Sequence, residues 1–226
     1  MAFVTTVDFH ALLLVYNSHH MVITYHGGSF MKVTFGDTTL AFNPISKQSK
    51  LRQSKFGSDI ALISENHPDC NGVENVTHGD KAPFVISGPG EYEVKNVTVL
   101  GFKGETNYGG KSMINTIYVV TLEGMKLCFL GTESSEDLSP ATLEAIDDID
   151  VLFVPASDDG TLTPSKAHAL AVKLEPKVVI PIAYSDASLK KFLKEDGSEG
   201  VKPTDKLTIR KKDVATMSGD IVVLKA

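Results

Sequence analysis

Ile60-Ala61-Leu62-Ile63 is apolar at every position, and the residues that follow it, Ser64-Glu65-Asn66-His67-Pro68-Asp69-Cys70-Asn71-Gly72, are polar and turn-forming. An apolar run of that length with no polar alternation reads as a strand buried on both faces, which requires a layered α/β protein around it. The polar loop beyond the carboxyl end of such a strand is where layered α/β proteins place ligand sites. Glu65, His67, Asp69 and Cys70 are all residue types that bind zinc, manganese or iron. A second reading of the same residues stays open, in which His67 and Asp69 hydrogen-bond across the loop and only hold its shape.

The flanking sequence supplies the layers. Val22 to Tyr25, Phe30 to Phe35 and Thr39 to Phe42 are β-rich runs separated by Gly27-Gly28 and Gly36-Asp37, the second gap being a hairpin signal. Phe84 to Ile86, Glu91 to Val94, Val97 to Phe102, Asn115 to Leu122 and Lys126 to Leu130 continue as strands. Beyond Gly131 the chain alternates: a helix from Ser139-Pro140 to Ile146, strand Val151 to Val154, a helix from Thr163-Pro164 to Leu174, strand Lys177 to Pro181. In both helices a capping hydroxyl precedes Pro at the first helical position. Ala187 to Lys194 reads as a short helix, Leu207 to Ile209 and Ile221 to Leu224 as closing strands, and the basic run 210–212 as a solvated turn. At 226 residues, 42% apolar, the chain suffices for one domain over 21–226. Residues 1–20 read as an N-terminal extension that need not belong to the native domain, and Met21 could itself be a start.

Several function classes are disfavoured. A formal charge of −6 offers no basic stripe for phosphate backbones, so no nucleic-acid partner is expected. The apolar run Ala11 to Tyr16 is far short of the roughly 20 residues that cross a bilayer, so no membrane association is expected either. Only Cys70 and Cys128 are present, which rules out a disulfide scaffold and points to the cytoplasm. Gly110-Lys111-Ser112 is no phosphate loop, because Glu105 stands where its first glycine is needed. Lys47, Lys50, Arg52 and Lys55 read as a solvated connection, with an anion-attracting rim as the less favoured alternative.

Ser64-Glu65-Asn66-His67-Pro68-Asp69-Cys70-Asn71-Gly72 resembles the Thr/Ser-HxHxDH-x-Gly signature of the metallo-β-lactamase superfamily. Ser87-Gly88-Pro89-Gly90-Glu91-Tyr92-Glu93-Val94 is similar to a run in its small hydrolase-like branch related to ascorbate-phosphate lactonases. The resemblance covers about residues 21–226 and implies an α/β fold of the αββα sandwich type. It also implies a set of departures. Glu65 stands where the first His belongs and Cys70 where the last belongs, while His67 and Asp69 match. Asn43-Pro44 replaces an Asp-Pro, and the Glu105 to Gly110 segment lacks the expected His. Thr132 follows Gly131 where the family has the Asp that bridges two metals, and Ala183 stands at the final His. His26, displaced from the family's turn position, reads as a turn residue.

Two cations held close together repel unless a charged group lies between them, and a hydroxyl binds such ions weakly. The expectation is therefore a degenerate binuclear site in a catalytically inactive chain, retained as a binding or scaffolding module without a cofactor. The alternative is a single-metal hydrolase of a phosphoester or lactone. It would hold one zinc or manganese on Glu65, His67, Asp69 and Cys70, with Asp69 as general base. No particular partner is indicated, although exposed strand edges would permit a homo-oligomer.

Overall fold

A computed structural model describes residues 20–226; the extension assigned to 1–20 thus lies outside the described residues up to position 19. Two sheets face one another. Among the described residues one has six strands and the other seven. In the first, β1 (Met21–Tyr25), β2 (Met31–Phe35) and β3 (Thr38–Phe42) form the antiparallel meander, with the Gly36-Asp37 hairpin as expected. β4 (Ile60–Leu62) and β5 (Phe84–Ile86) then join in parallel, and every residue of β4 is buried. β12 (Leu207–Ile209) closes the other edge against β1.

The second sheet runs antiparallel from β6 (Gly90–Val94) through β7 (Val97–Thr106) and β8 (Met113–Leu122) to β9 (Met125–Phe129). It turns parallel through β10 (Val151–Pro155), β11 (Val178–Ile182) and β13 (Asp220–Ile221). The change of sense follows from the connections, since a two-residue turn reverses the chain whereas a helical crossover restores its direction. Those crossovers are α1 (Pro140–Ile146) and α2 (Pro164–Leu174), each with the predicted hydroxyl cap accepting from the third helical N–H. α3 (Asp186–Asp196) begins at a Ser185–Ser188 capping box and ends at Gly197 with φ +75°.

The alternation along each strand sorts its side chains between two cores. Ile23, Val33, Leu40, Phe42 and Leu62 meet Val120, Phe129, Phe153 and Ile180 between the sheets. Phe42, Phe129 and Phe153 form its centre, with ring centroids 4.9 to 6.0 Å apart. Burying one such ring is worth about 1.5–3 kcal/mol. The residues of the second sheet that point the other way, Cys128, Leu152 and Val154 among them, pack instead on Ala167, Leu170 and Ala171 of α2 and Phe192 of α3. The outer face of the first sheet is covered by chain without α-helix, as Ala41 and Ala61 lie under Ile45, Phe56 and Val76.

The closing segment differs from the sequence reading in two places. Residues 211–214 form a helical turn, α4 (Lys211–Val214), because Asp213 accepts from the Arg210 backbone and side chain while Val214 is buried. The strand read from Ile221 onward is only Asp220–Ile221, with Leu224 retained as an isolated bridge to Thr204. No helix among the described residues is long and apolar enough to cross a membrane.

Candidate functional site

The carboxyl ends of β3, β4 and β5 and of β9, β10 and β11 are the points from which site loops can start. Hydrogen bonds from β8 tie the sheets there. Tyr118 of β8 donates to the Ile63 carbonyl at 2.7 Å, and the Thr116 N–H to the Ser64 carbonyl at 2.8 Å. Asn43 sets the β4 exit. At φ +46° its Oδ1 accepts from the Ser64 N–H at 2.8 Å, while its Nδ2 donates to Ser64 Oγ at 2.8 Å and Ser29 Oγ at 3.0 Å. Gly72 closes the loop, because a Cβ there would overlap the Ile45 carbonyl.

On the facing loop Gly131 adopts φ +63°, and an added Cβ would lie 2.5 Å from Ser64 Oγ and Asn115 Oδ1. Only glycine fits that approach. The turn brings Thr132 against Glu65, whose Oε2 accepts from the Thr132 hydroxyl at 2.8 Å. Both residues are buried, at 1% and 3% exposure. Asn115 supports the pair by accepting from the Thr132 N–H at 3.2 Å and donating to Leu130 and Glu133. Burial pushes the Glu65 carboxyl above the usual carboxylate range; Thr132 and His67 draw it down and Asp69 pushes it up. Glu133 is likewise raised by burial, against hydrogen bonds from Ser135, Asn115, Glu105 and Ser134.

The other sequence-predicted residues belong to different networks. Asp69 accepts from Ser49 Oγ at one oxygen and from the Tyr108 hydroxyl at the other, the latter at 2.7 Å. His67 Nδ1 accepts from the Asp69 N–H at 3.2 Å and lies 3.6 Å from Asp69 Oδ2, with its ring edge-on to Tyr108. Cys70 is fully buried beside Ser29 Oγ, 3.6 Å away, and burial pushes its thiol well above the usual range.

As a ligand set the four residues thus divide into three pairings: Glu65 with Thr132, Asp69 with His67, Ser49 and Tyr108, and Cys70 with Ser29. Among the described residues no three His, Cys, Asp or Glu side chains are placed to hold an ion together. In this arrangement the donors do not fit a metal. Ala183 sits at φ +52° with its N–H donating to the Gly28 carbonyl at 2.6 Å, and its methyl offers no ligand. His26 is half-buried between Phe30 and Phe56, away from these groups, and burial, with Lys32 and Arg52 nearby, lowers its pKa to about 4. The basic stretch 45–58 carries its Lys47, Lys50, Arg52 and Lys55 exposed.

Sequence reasoning missed Tyr108, Ser49, Asn115 and Glu133. Tyr108 and Ser49 join Asp69 from chain positions 39 and 20 residues away, a pairing that no local pattern encodes. The Gly109-Gly110 turn after Tyr108 was the available signal. Beside Glu65 opens a cavity of about 850 Å³, lined by Ile63, Ser64, Asn66, Val85, Met113 and Ile114 among others.

Two facing mixed sheets, with helices packed on one and the site loops at the strand ends, define a metallo-β-lactamase-type sandwich. Residues 22–183 match the family model described as a beta-lactamase superfamily domain, and the chain belongs to that family. It is 26% identical to a UPF0173 metal-dependent hydrolase of Listeria innocua, across 73% of this chain and 86% of the relative. It is 25% identical, with the same shares covered, to one from Lysinibacillus sphaericus. Among solved structures, a protein of Thermotoga maritima described as a Zn-dependent hydrolase of the metallo-beta-lactamase superfamily superposes with a TM-score of 0.73 at 28% identity. That match covers 91% of this chain and 98% of the other. A metallo hydrolase of Ignicoccus hospitalis shares the fold at 16% identity, with a TM-score of 0.61 over 84% of this chain and 99% of that one.

Proposed function

We propose that this chain is a catalytically inactive member of the superfamily, retained as a binding or scaffolding module. The observation that carries the reading is the 2.8 Å hydrogen bond from Thr132 to Glu65. By resemblance these are the positions of the bridging carboxylate and of the first His. Here each satisfies the other in a buried site, and a metal ion would have to displace the Thr132 hydroxyl from Glu65 Oε2 to bind there. Two buried free cysteines accord with a cytoplasmic setting.

A second reading is a hydrolase of a phosphoester or lactone with one zinc or manganese on Glu65, His67, Asp69 and Cys70. It is supported by the names of the relatives, which are metal-dependent hydrolases, and by the 3.6 Å approach of His67 to Asp69. Metal analysis separates the two. Purified protein equilibrated with zinc or manganese and then desalted is expected to carry well below one metal per chain, with no shift of melting temperature on adding EDTA. One ion per chain, lost in His67→Ala, would instead establish the hydrolase reading.

A further inference from the structure

Within the metal-free reading, the cavity beside Glu65 has the character of a ligand site. Its volume of about 850 Å³ falls within the roughly 300–1,000 Å³ of small-molecule pockets. One wall is apolar, and its outer residues Val85, Met113 and Ile114 are exposed at 43%, 39% and 57%. Side chains that large are seldom grouped at the surface unless something covers them. The inner wall carries Ser64, Thr116 and Glu65.

Glu65 is the one ionisable group in this lining, and among the described residues no Lys, Arg or His lines the cavity. Its residue is only 3% exposed, and Oε2 is committed to Thr132. Among the described residues no hydrogen bond engages Oε1, and Glu65 lines the cavity. A buried carboxyl with one oxygen satisfied by protein and the other facing an apolar-walled space lacks one donor. An anionic ligand would meet Glu65 and no compensating cation. An alcohol could supply a hydrogen bond and no charge. An ammonium supplies both, and a charge-assisted hydrogen bond is roughly twice as strong as a neutral one.

We propose that this cavity binds a small amine with an apolar body, its ammonium donating to Glu65 and its hydrocarbon lying along Val85, Met113 and Ile114. The site uses Glu65 as a counter-ion and needs no metal.

The test uses the full chain in EDTA, with calorimetric titration of three matched probes: 2-phenylethylamine, 2-phenylethanol and 3-phenylpropionate. The amine is expected to bind at least tenfold more tightly than the alcohol, and the carboxylate not at all. Glu65→Gln, which keeps an acceptor for Thr132, should remove the amine's tenfold advantage and leave the alcohol unchanged. Ile114→Ser, at an exposed position, should weaken amine and alcohol alike. Equal affinities for amine and alcohol, detectable carboxylate binding, or no amine binding to wild-type protein would each overturn the proposal, and none of these needs a variant to fold. Because EDTA is present throughout, failure here is distinct from failure of the inactive reading, which metal content decides.

Discussion

Replacing Thr132 by Val removes one hydroxyl and almost no volume, so its effect isolates the hydrogen bond on which the site is built. Thr132 is 1% exposed and Glu65 3%, and water cannot readily replace the lost donor. An unsatisfied buried acceptor costs about 1–3 kcal/mol, and the middle of that range, about 2 kcal/mol, fits a pair with one oxygen still facing the cavity. For a chain of this length that is a fall of roughly 4–8 °C in melting temperature. The loss should also depend on pH in a defined sense. Burial raises the folded-state pKa of Glu65, so the native state holds its proton more tightly than the unfolded chain. Stability from this group is therefore full below the unfolded value near 4.3 and declines as pH rises toward the folded pKa. The Thr132 hydroxyl opposes that rise, so deleting it should be more damaging at pH 8 than at pH 4.5. Urea denaturation of wild type, Thr132→Val, Glu65→Met and the double variant at both pH values measures all of this. Because an apolar pair leaves nothing unsatisfied, the double variant should be more stable than the sum of the single losses predicts. A loss under about 0.5 kcal/mol, independent of pH and additive in the double variant, would refute the argument, being no more than an ordinary surface change.

Other expectations follow from ionisable groups elsewhere and from the loop network. Burial pushes the Asp59 carboxyl up, but Lys95, the Thr39 N–H and Lys81 outweigh it and hold the pKa to about 2. Its contribution is present above the unfolded pKa near 4 and disappears as pH falls to about 2; with both lysines half-exposed or more, Asp59→Asn should cost about 1 kcal/mol at pH 7 and nothing at pH 2. His26, lowered to about 4, favours the neutral folded form, so stability should fall as acidification passes from about 6.5 to 4. Allowing for its partial exposure, about 2 kcal/mol of that acid loss should be absent in His26→Gln, read from urea midpoints against pH. Tyr108→Phe removes the donor to Asp69 Oδ2 and should cost about 1–2 kcal/mol locally, seen as faster amide exchange at Cys70 and Asn71 with the β-sheet amides unchanged.

The sandwich was legible because its signals are local and periodic. The fully apolar β4, the Gly36-Asp37 turn and the Ser/Thr-Pro helix starts at 139 and 163 each declare an element through a few neighbouring residues. The turn at 211–214 was not legible, because its apolar content is essentially Val214 and its stability rests on the Arg210–Asp213 pair. The site was half legible. Which residues depart from the superfamily pattern can be read along the chain, but what each one touches instead cannot, since Glu65 finds Thr132 across 67 positions and Asp69 finds Tyr108 across 39.

Those contacts bear on how the departures should be weighed together. A carboxylate in place of the first His, set beside a retained bridging Asp, would gather negative charge that only metal could neutralise. With Thr132 in that position, the facing group donates a hydrogen bond and adds no charge. Asn115 in turn accepts from the Thr132 N–H and donates to Glu133, so the polar chain ends on a carboxyl cradled by the Glu105, Ser134 and Ser135 amides. The residues at these positions thus satisfy one another through hydrogen bonds. Restoring Asp at 132 alone should therefore do harm without restoring metal affinity: two carboxyls would compete for one proton in a buried space, and the pair should titrate in two separated steps. A Thr132→Asp variant that is as stable as wild type at pH 8 and binds zinc would show that the hydrogen-bonded set is incidental and that the metal site is only one substitution away.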